Sequence, residues 1–193
     1  NKSSPNVVAC WKFPARKDNR NAGERRLEAM KEHPFIALDI GGVCLEIRPE
    51  RCFGLLGYRA IGEVPPALLA GVERYERGRI GEGEFLALFR SATGSELPDD
   101  FIRSAWNAIL AAEIPGMAEL VRDLRSAGTG IVLFSDTSPL HMTEFRRRFE
   151  IARLLPDGVY SFVVGARKPD PAMFAALEAD YGKPSLYVDD REF

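Results

Sequence analysis

Residues 35–43, FIALDIGGV, constrain this chain more than any other stretch. Phe35, Ile36, Ala37 and Leu38 predict a short buried strand that ends on one carboxylate, Asp39, with Gly41 and Gly42 close behind. In open α/β sheets, ligands bind beyond the carboxyl ends of the strands. Glycine in the following turn lets backbone come close to such a ligand. Asp39 is therefore placed for chemistry, and aspartate is one of the side chains that act as covalent nucleophiles. The plainer role open to it is to end a strand and begin a turn.

Three further clusters fall at expected strand ends. IVLFSDTS (131–138) stops at Ser135, Asp136 and Thr137; GARKPD (165–170) puts Lys168 before a proline; SLYVDD (185–190) ends on Asp189 and Asp190. Nucleophile, hydroxyl, lysine and acidic pair, in that order, resemble the four motifs of the haloacid dehalogenase-like (HAD) hydrolase superfamily. The forms LDIGGV and VDD are similar to those of its helical-cap, sugar-phosphatase-type members. The resemblance runs from about residue 35 to the C-terminus. Each motif is only two to four residues, so the signal lies in all four occurring in order.

Between Gly41 and about Glu113 the pattern turns helical. Pro65 and Pro66 suit a helix start, and Leu68, Leu69, Val72 and Tyr75 repeat at helical spacing as far as Gly78. Phe85, Leu88 and Phe89 form a second stripe closed by Gly94. Asp99 or Asp100 is expected to cap a third helix whose inner face carries Phe101, Ala105, Ile109 and Leu110. The aromatic stripes, Trp106 included, read as core. After this insert, strand and helix alternate: a helix with Met117, Leu120, Val121 and Leu124 stopping at Gly128, the strand to Ser135, and a helix from Pro139. A strand over 159–164, a helix over 171–181 and a strand over 185–189 complete the pattern. Such alternation implies βαβ units and a parallel sheet. The expected fold is α/β: a Rossmann-like parallel sheet flanked by helices, with a small all-helical cap inserted after the first strand. The core is assigned to 30–45 and 114–193 and the cap to 46–113.

Residues 1–29 carry seven Lys and Arg with little apolar periodicity and no apolar h-region, so they are not a secretory signal. They read as an extension, disordered or added upstream of a natural start at Met30, with a basic docking arm as the alternative. The resemblance implies a further helix and strand after Phe193, so the expectation is a chain that natively continues, with a sheet one strand short as the alternative. A net charge of −2 gives no reason to expect nucleic acid or an anionic membrane as partner, and no run approaches the roughly 18 apolar residues that span a bilayer. Three cysteines (Cys10, Cys44, Cys52) without CxxC spacing argue against a disulfide framework or zinc site and fit a reducing, cytoplasmic setting.

The resemblance implies a magnesium-dependent phosphatase acting on a small phosphorylated metabolite, of the sugar phosphate type, in a monomer or homodimer. Asp39 would attack phosphorus to give an aspartyl-phosphate, Ser135 and the backbone of Asp136 would hydrogen-bond the phosphate, and Lys168 would supply fixed positive charge. Mg2+ suits converging carboxylates and phosphate. Its implied ligands are Asp39, the Gly41 backbone carbonyl and the fourth-motif acid, with Asp190 favoured over Asp189.

One departure matters. The family's familiar first motif is Asp-x-Asp, whose second aspartate protonates the leaving group; here that position is Gly41. Either a good leaving group, as in a sugar 1-phosphate, or a cap residue has to compensate. Glu73, Glu76, Glu82 and Glu84 are the cap candidates, and His33 and His141 the alternatives. Competing readings are a catalytically silent HAD-like binding protein and a metal-free haloacid dehalogenase.

Overall fold

The computed structural model describes residues 34–192. Expectations for residues 1–33 and for Phe193, including those on Cys10, Met30 and His33, lie outside that range. Four parallel strands form the central sheet: β1 (Phe35–Leu38), β4 (Gly130–Ser135), β5 (Gly158–Tyr160) and β6 (Leu186–Val188), in spatial order β5-β4-β1-β6. Register pairs Phe35 with Gly130 and Leu38 with both Leu133 and Val188. Because the strands are parallel, all their carboxyl ends lie at one edge of the sheet.

Side chains alternate across the strands with period two, and the two faces are buried separately. Leu38, Ile131 and Leu133 pack on one side with Val121, Met142 and Phe145. These last come from α5 (Met117–Ser126) and α6 (Pro139–Arg148). On the other side Phe35, Ala37, Val132 and Phe134 meet Met173, Leu177 and Tyr181 of α9 (Pro171–Tyr181). Burial on both faces is why these strands read as apolar runs rather than alternating ones. Two short helices complete this layer: α7 (Ile151–Leu154) and α8 (Ser161–Val164).

Between β1 and α5 lies a helical insert: α1 (Pro49–Leu55), α2 (Pro66–Glu76), α3 (Glu82–Thr93) and α4 (Asp99–Asn107), with a 3-10 turn at Ile61–Glu63. It has its own core. Tyr75 and Phe85 stack at 4.0 Å, and Phe89 and Trp106 meet Phe85 edge-on. The insert leaves and re-enters the sheet layer through two short antiparallel strands, β2 (Leu45–Ile47) and β3 (Leu110–Glu113).

Several expectations need correction. The ends of the insert are strands rather than helix, so Leu110 belongs to β3 and not to the third helix. The inner face of α4 is Ile102, Ala105 and Trp106, whereas Phe101 is exposed. Neither Asp99 nor Asp100 caps it: Pro98 holds the cap position and Asp99, already in the helix, pairs with Arg90. The apolar run at 159–164 is strand only to Tyr160, then one helical turn closed by Gly165 at φ +82°. A short apolar run looks alike as buried strand or buried helix. Cys44 and Cys52 are buried free thiols. Among the described residues, no helix is long and apolar enough to cross a membrane.

Candidate active site

Asp39, Ser135, Lys168 and Asp189 come together at the carboxyl edge of the sheet because each follows or ends a parallel strand or the loop beside it. Asp39 is buried, and its backbone N–H donates to the Val188 carbonyl at 2.9 Å, continuing the β1–β6 ladder by one residue. One carboxylate oxygen accepts the Ile40 N–H at 2.7 Å; the other lies 3.2 Å from Lys168 Nζ. Burial pushes the Asp39 carboxyl above the usual carboxylate range, with Lys168 and a hydrogen bond from Ser135 opposing the rise and Asp189 adding to it. The Lys168 ion pair favours the ionised carboxylate that burial disfavours.

Lys168 has a fully buried side chain and is an ion-pair hub. Its ammonium donates to the Phe134 carbonyl at 3.0 Å and to Asp189, besides facing Asp39. Its position is set by Asp136, whose Oδ1 accepts the Lys168 N–H at 2.9 Å. The Asp136 carboxylate also pairs with Arg167 at 3.4 Å and Arg191 at 3.1 Å. That carboxylate is thus committed to holding loops together. Ser161 adds a second tie: its hydroxyl donates to the Thr137 carbonyl at 3.0 Å and accepts the Thr137 N–H at 2.9 Å.

Asp39, Asp189 and Asp190 each offer an oxygen within 4.8 Å of the others, an acidic group able to hold a metal ion. All-oxygen, carboxylate-rich ligation fits a hard divalent cation such as magnesium. The two fourth-motif acids differ. Asp189 is occupied by Lys168 and by the Arg191 N–H at 3.0 Å. Asp190 is exposed and folds over Gly42, where a Cβ would fall 2.2 Å from its Oδ2. Gly42 sits at φ +71°, so both backbone and space there call for glycine. At Gly41 a Cβ would meet Ile47 at 3.2 Å, close but against a flexible side chain.

A cavity of about 340 Å3 separates this edge from the insert, lined by Asp39, Gly41, Ser135, Asp136 and Asp190 on one side. Of the four glutamates considered for the insert, only Glu76 lines it. Its carboxylate pairs with Arg167 at 3.1 Å, and burial, aided by nearby Asp136 and Glu73, outweighs Arg167 and Arg191 to push its pKa up. Arg167 and Arg191 escaped sequence reading, although each neighbours a motif residue, Lys168 and Asp190. His141 also lines the cavity, but its Nε2 donates to the Trp106 carbonyl at 3.0 Å and burial pushes its pKa down to about 4. It stays neutral and is engaged in structure.

The model of the haloacid dehalogenase-like hydrolase family matches residues 27–192. The chain belongs to that family. Its fold is similar to that of a HAD family enzyme from Bacteroides thetaiotaomicron, with a TM-score of 0.73 and 23% identity over 82% of this chain and 85% of that one. The same enzyme in complex with magnesium and inorganic phosphate gives a TM-score of 0.71 at 24% identity, with 82% and 85% covered. A predicted HAD-like family hydrolase from Porphyromonas gingivalis matches at a TM-score of 0.67 and 23% identity, covering 82% of each chain. An L-2-haloacid dehalogenase from Xanthobacter autotrophicus shares the fold more distantly, at a TM-score of 0.54 and 17% identity over 79% of this chain and 68% of that one. At these identities the likeness is one of fold, and the chemistry of this HAD-like hydrolase has to be argued from its own residues.

Proposed function

We propose that this HAD-like hydrolase is a magnesium-dependent phosphatase of a small phosphate monoester. The observation that carries the reading is the cluster Asp39, Asp189 and Asp190, with the buried Lys168 paired to the first two. Three carboxylates against Lys168, with Arg191 shared between Asp189 and Asp136, leave net negative charge where an anion would bind, an arrangement that calls for a cation. Asp39 and Asp190, with the Gly41 carbonyl, would hold magnesium, since Asp189 is occupied by Lys168 and Arg191. When bound, the ion offsets the charge of carboxylates and phosphate and favours attack on phosphorus. A metal-free dehalogenase has no evident use for Asp190.

The chain's own groups would act as follows. Ser135 and the Asp136 backbone orient the phosphate, and Lys168 holds Asp39 in position. An Asp39 oxygen attacks phosphorus while the bond to the leaving oxygen breaks. Glu76, whose raised pKa favours the acid form, gives that oxygen the proton Gly41 cannot supply. Glu76 then takes a proton from the water that attacks phosphorus, releasing inorganic phosphate and free Asp39.

The test is steady-state hydrolysis of a panel of phosphate monoesters. Magnesium-loaded protein should turn them over, EDTA-treated protein should not, and Asp39→Asn should lose essentially all activity while remaining folded. Equal rates with and without metal, or near wild-type turnover by Asp39→Asn, would overturn the reading.

A further inference from the structure

The insert's side of the cavity is almost devoid of hydrogen-bonding groups. It presents Pro49, Phe53, Ile61, Leu69, Val72 and Ile109, against the single carboxylate of Glu76. Trp106, on the same wall, has its indole N–H directed to Ser138 Oγ at 3.1 Å. Two of the apolar side chains stand at the rim in solvent: Ile61 is 56% exposed and Leu69 37%. A second cavity of about 410 Å3 adjoins the first, sharing Pro49, Phe53 and Ile61 as walls and adding Tyr58 and Ala60, with the exposed Glu50 and Arg59 also lining it. The Tyr58 hydroxyl is itself taken, donating to the Ala92 carbonyl at 3.0 Å, so the ring lines this space as an apolar surface.

Resting on the phosphatase reading, we propose that the substrate is a phosphate monoester with an extended apolar body, alkyl or aryl, rather than a sugar phosphate. Its phosphate sits at Asp39 and its body runs along Phe53 toward Tyr58. A sugar placed there would bury hydroxyls against hydrocarbon. Each hydroxyl left without a partner weakens binding roughly fivefold to a hundredfold. Each methylene buried strengthens it about fourfold. The conclusion departs from the sugar phosphate that the motif resemblance implies, because motifs describe the phosphate end whereas the insert's wall selects the rest.

Primary-alcohol phosphates separate body from leaving group, since their leaving oxygens have similar basicity. With magnesium-loaded full chain, kcat/KM should climb about two- to fourfold per methylene from ethyl through hexyl to octyl phosphate. Hexyl phosphate should exceed glucose 6-phosphate by at least a hundredfold. Ile61→Ser, at an exposed position that does not threaten folding, should lower kcat/KM for octyl phosphate several times more than for ethyl phosphate. A flat chain-length series, or glucose 6-phosphate matching hexyl phosphate, overturns the proposal while leaving the phosphatase reading intact. Failure to hydrolyse any ester of the series overturns both.

Discussion

Lys168 is the residue on which the site's electrostatics turn. It is buried, yet its partners Asp39, Asp189 and the Phe134 carbonyl satisfy its three N–H bonds. Lys168→Met should therefore cost about 3–5 kcal/mol at neutral pH, because the buried Asp39 and the partly buried Asp189 lose a shared counter-charge. The sign with pH follows from linkage. Lys168 lowers the Asp39 pKa, so the stability it contributes through that pair is present at higher pH and is lost as Asp39 protonates. Urea melts at pH 7.5 and pH 5 should show the gap between wild type and variant narrowing at the lower pH; a constant or widening gap would contradict this. Glu76 makes a second residue-scale prediction. Glu76→Gln should reduce kcat for alkyl phosphates by about 10²–10⁴, with a much smaller loss for nitrophenyl phosphate, whose leaving oxygen needs no proton. Its raised pKa keeps Glu76 protonated to higher pH than an ordinary glutamate, so it should set the descending limb of the wild-type pH–rate profile. That limb should disappear in the variant. An equal loss for all leaving groups would reduce Glu76 to the partner of Arg167.

At the level of elements, the insert is joined to the sheet layer by more than its two strands. Trp106 of α4 stacks flat on His141 of α6, with ring centroids 4.4 Å apart, and the Trp106 indole N–H and the His141 backbone N–H both donate to Ser138 Oγ. Gly78, just past α2, is at φ +63°, and a Cβ there would lie 2.1 Å from the Phe162 carbonyl of α8. His141 gives this joint a pH dependence. Its folded-state pKa of about 4 lies below the ordinary 6.5, so on acidification the unfolded chain takes up the proton first. Stability is present above about 6.5 and is lost as pH falls toward 4, by about 3 kcal/mol at most. His141→Phe keeps the stack but not the hydrogen bond, so it should be less stable than wild type at pH 7 and should close or reverse that gap at pH 4.5. A pH-independent gap would contradict the assignment. None of this joint was legible in the sequence. Asp39, Ser135 and Asp190 announced themselves by sitting at expected strand ends, and parallel strands put such ends on one edge; Lys168 is marked by its motif, although a helical turn separates it from its strand. The Glu76–Arg167 pair and the Trp106–His141 stack join residues more than 30 positions apart with no shared motif, and only tertiary packing brings them together. The run at 159–164 failed for a local reason, since Val159 to Val164 is apolar enough to satisfy either strand or helix.

On the scale of the whole molecule, a parallel sheet gathers carboxylates and a lysine at one edge, and a helical insert with its own aromatic core roofs the edge with hydrocarbon. In the proposed reaction the charged edge would take the phosphate and the roof what the phosphate is attached to. Everything in this account depends on a phosphoryl group passing through Asp39. The most direct measurement is acid quenching of the magnesium-loaded protein during turnover, followed by borohydride reduction and peptide mass spectrometry. An aspartyl-phosphate at position 39 should be reduced to homoserine there, with substrate and magnesium both required and with none formed in EDTA. Turnover that leaves Asp39 unmodified, or a reduced residue elsewhere in the chain, would contradict the central claim.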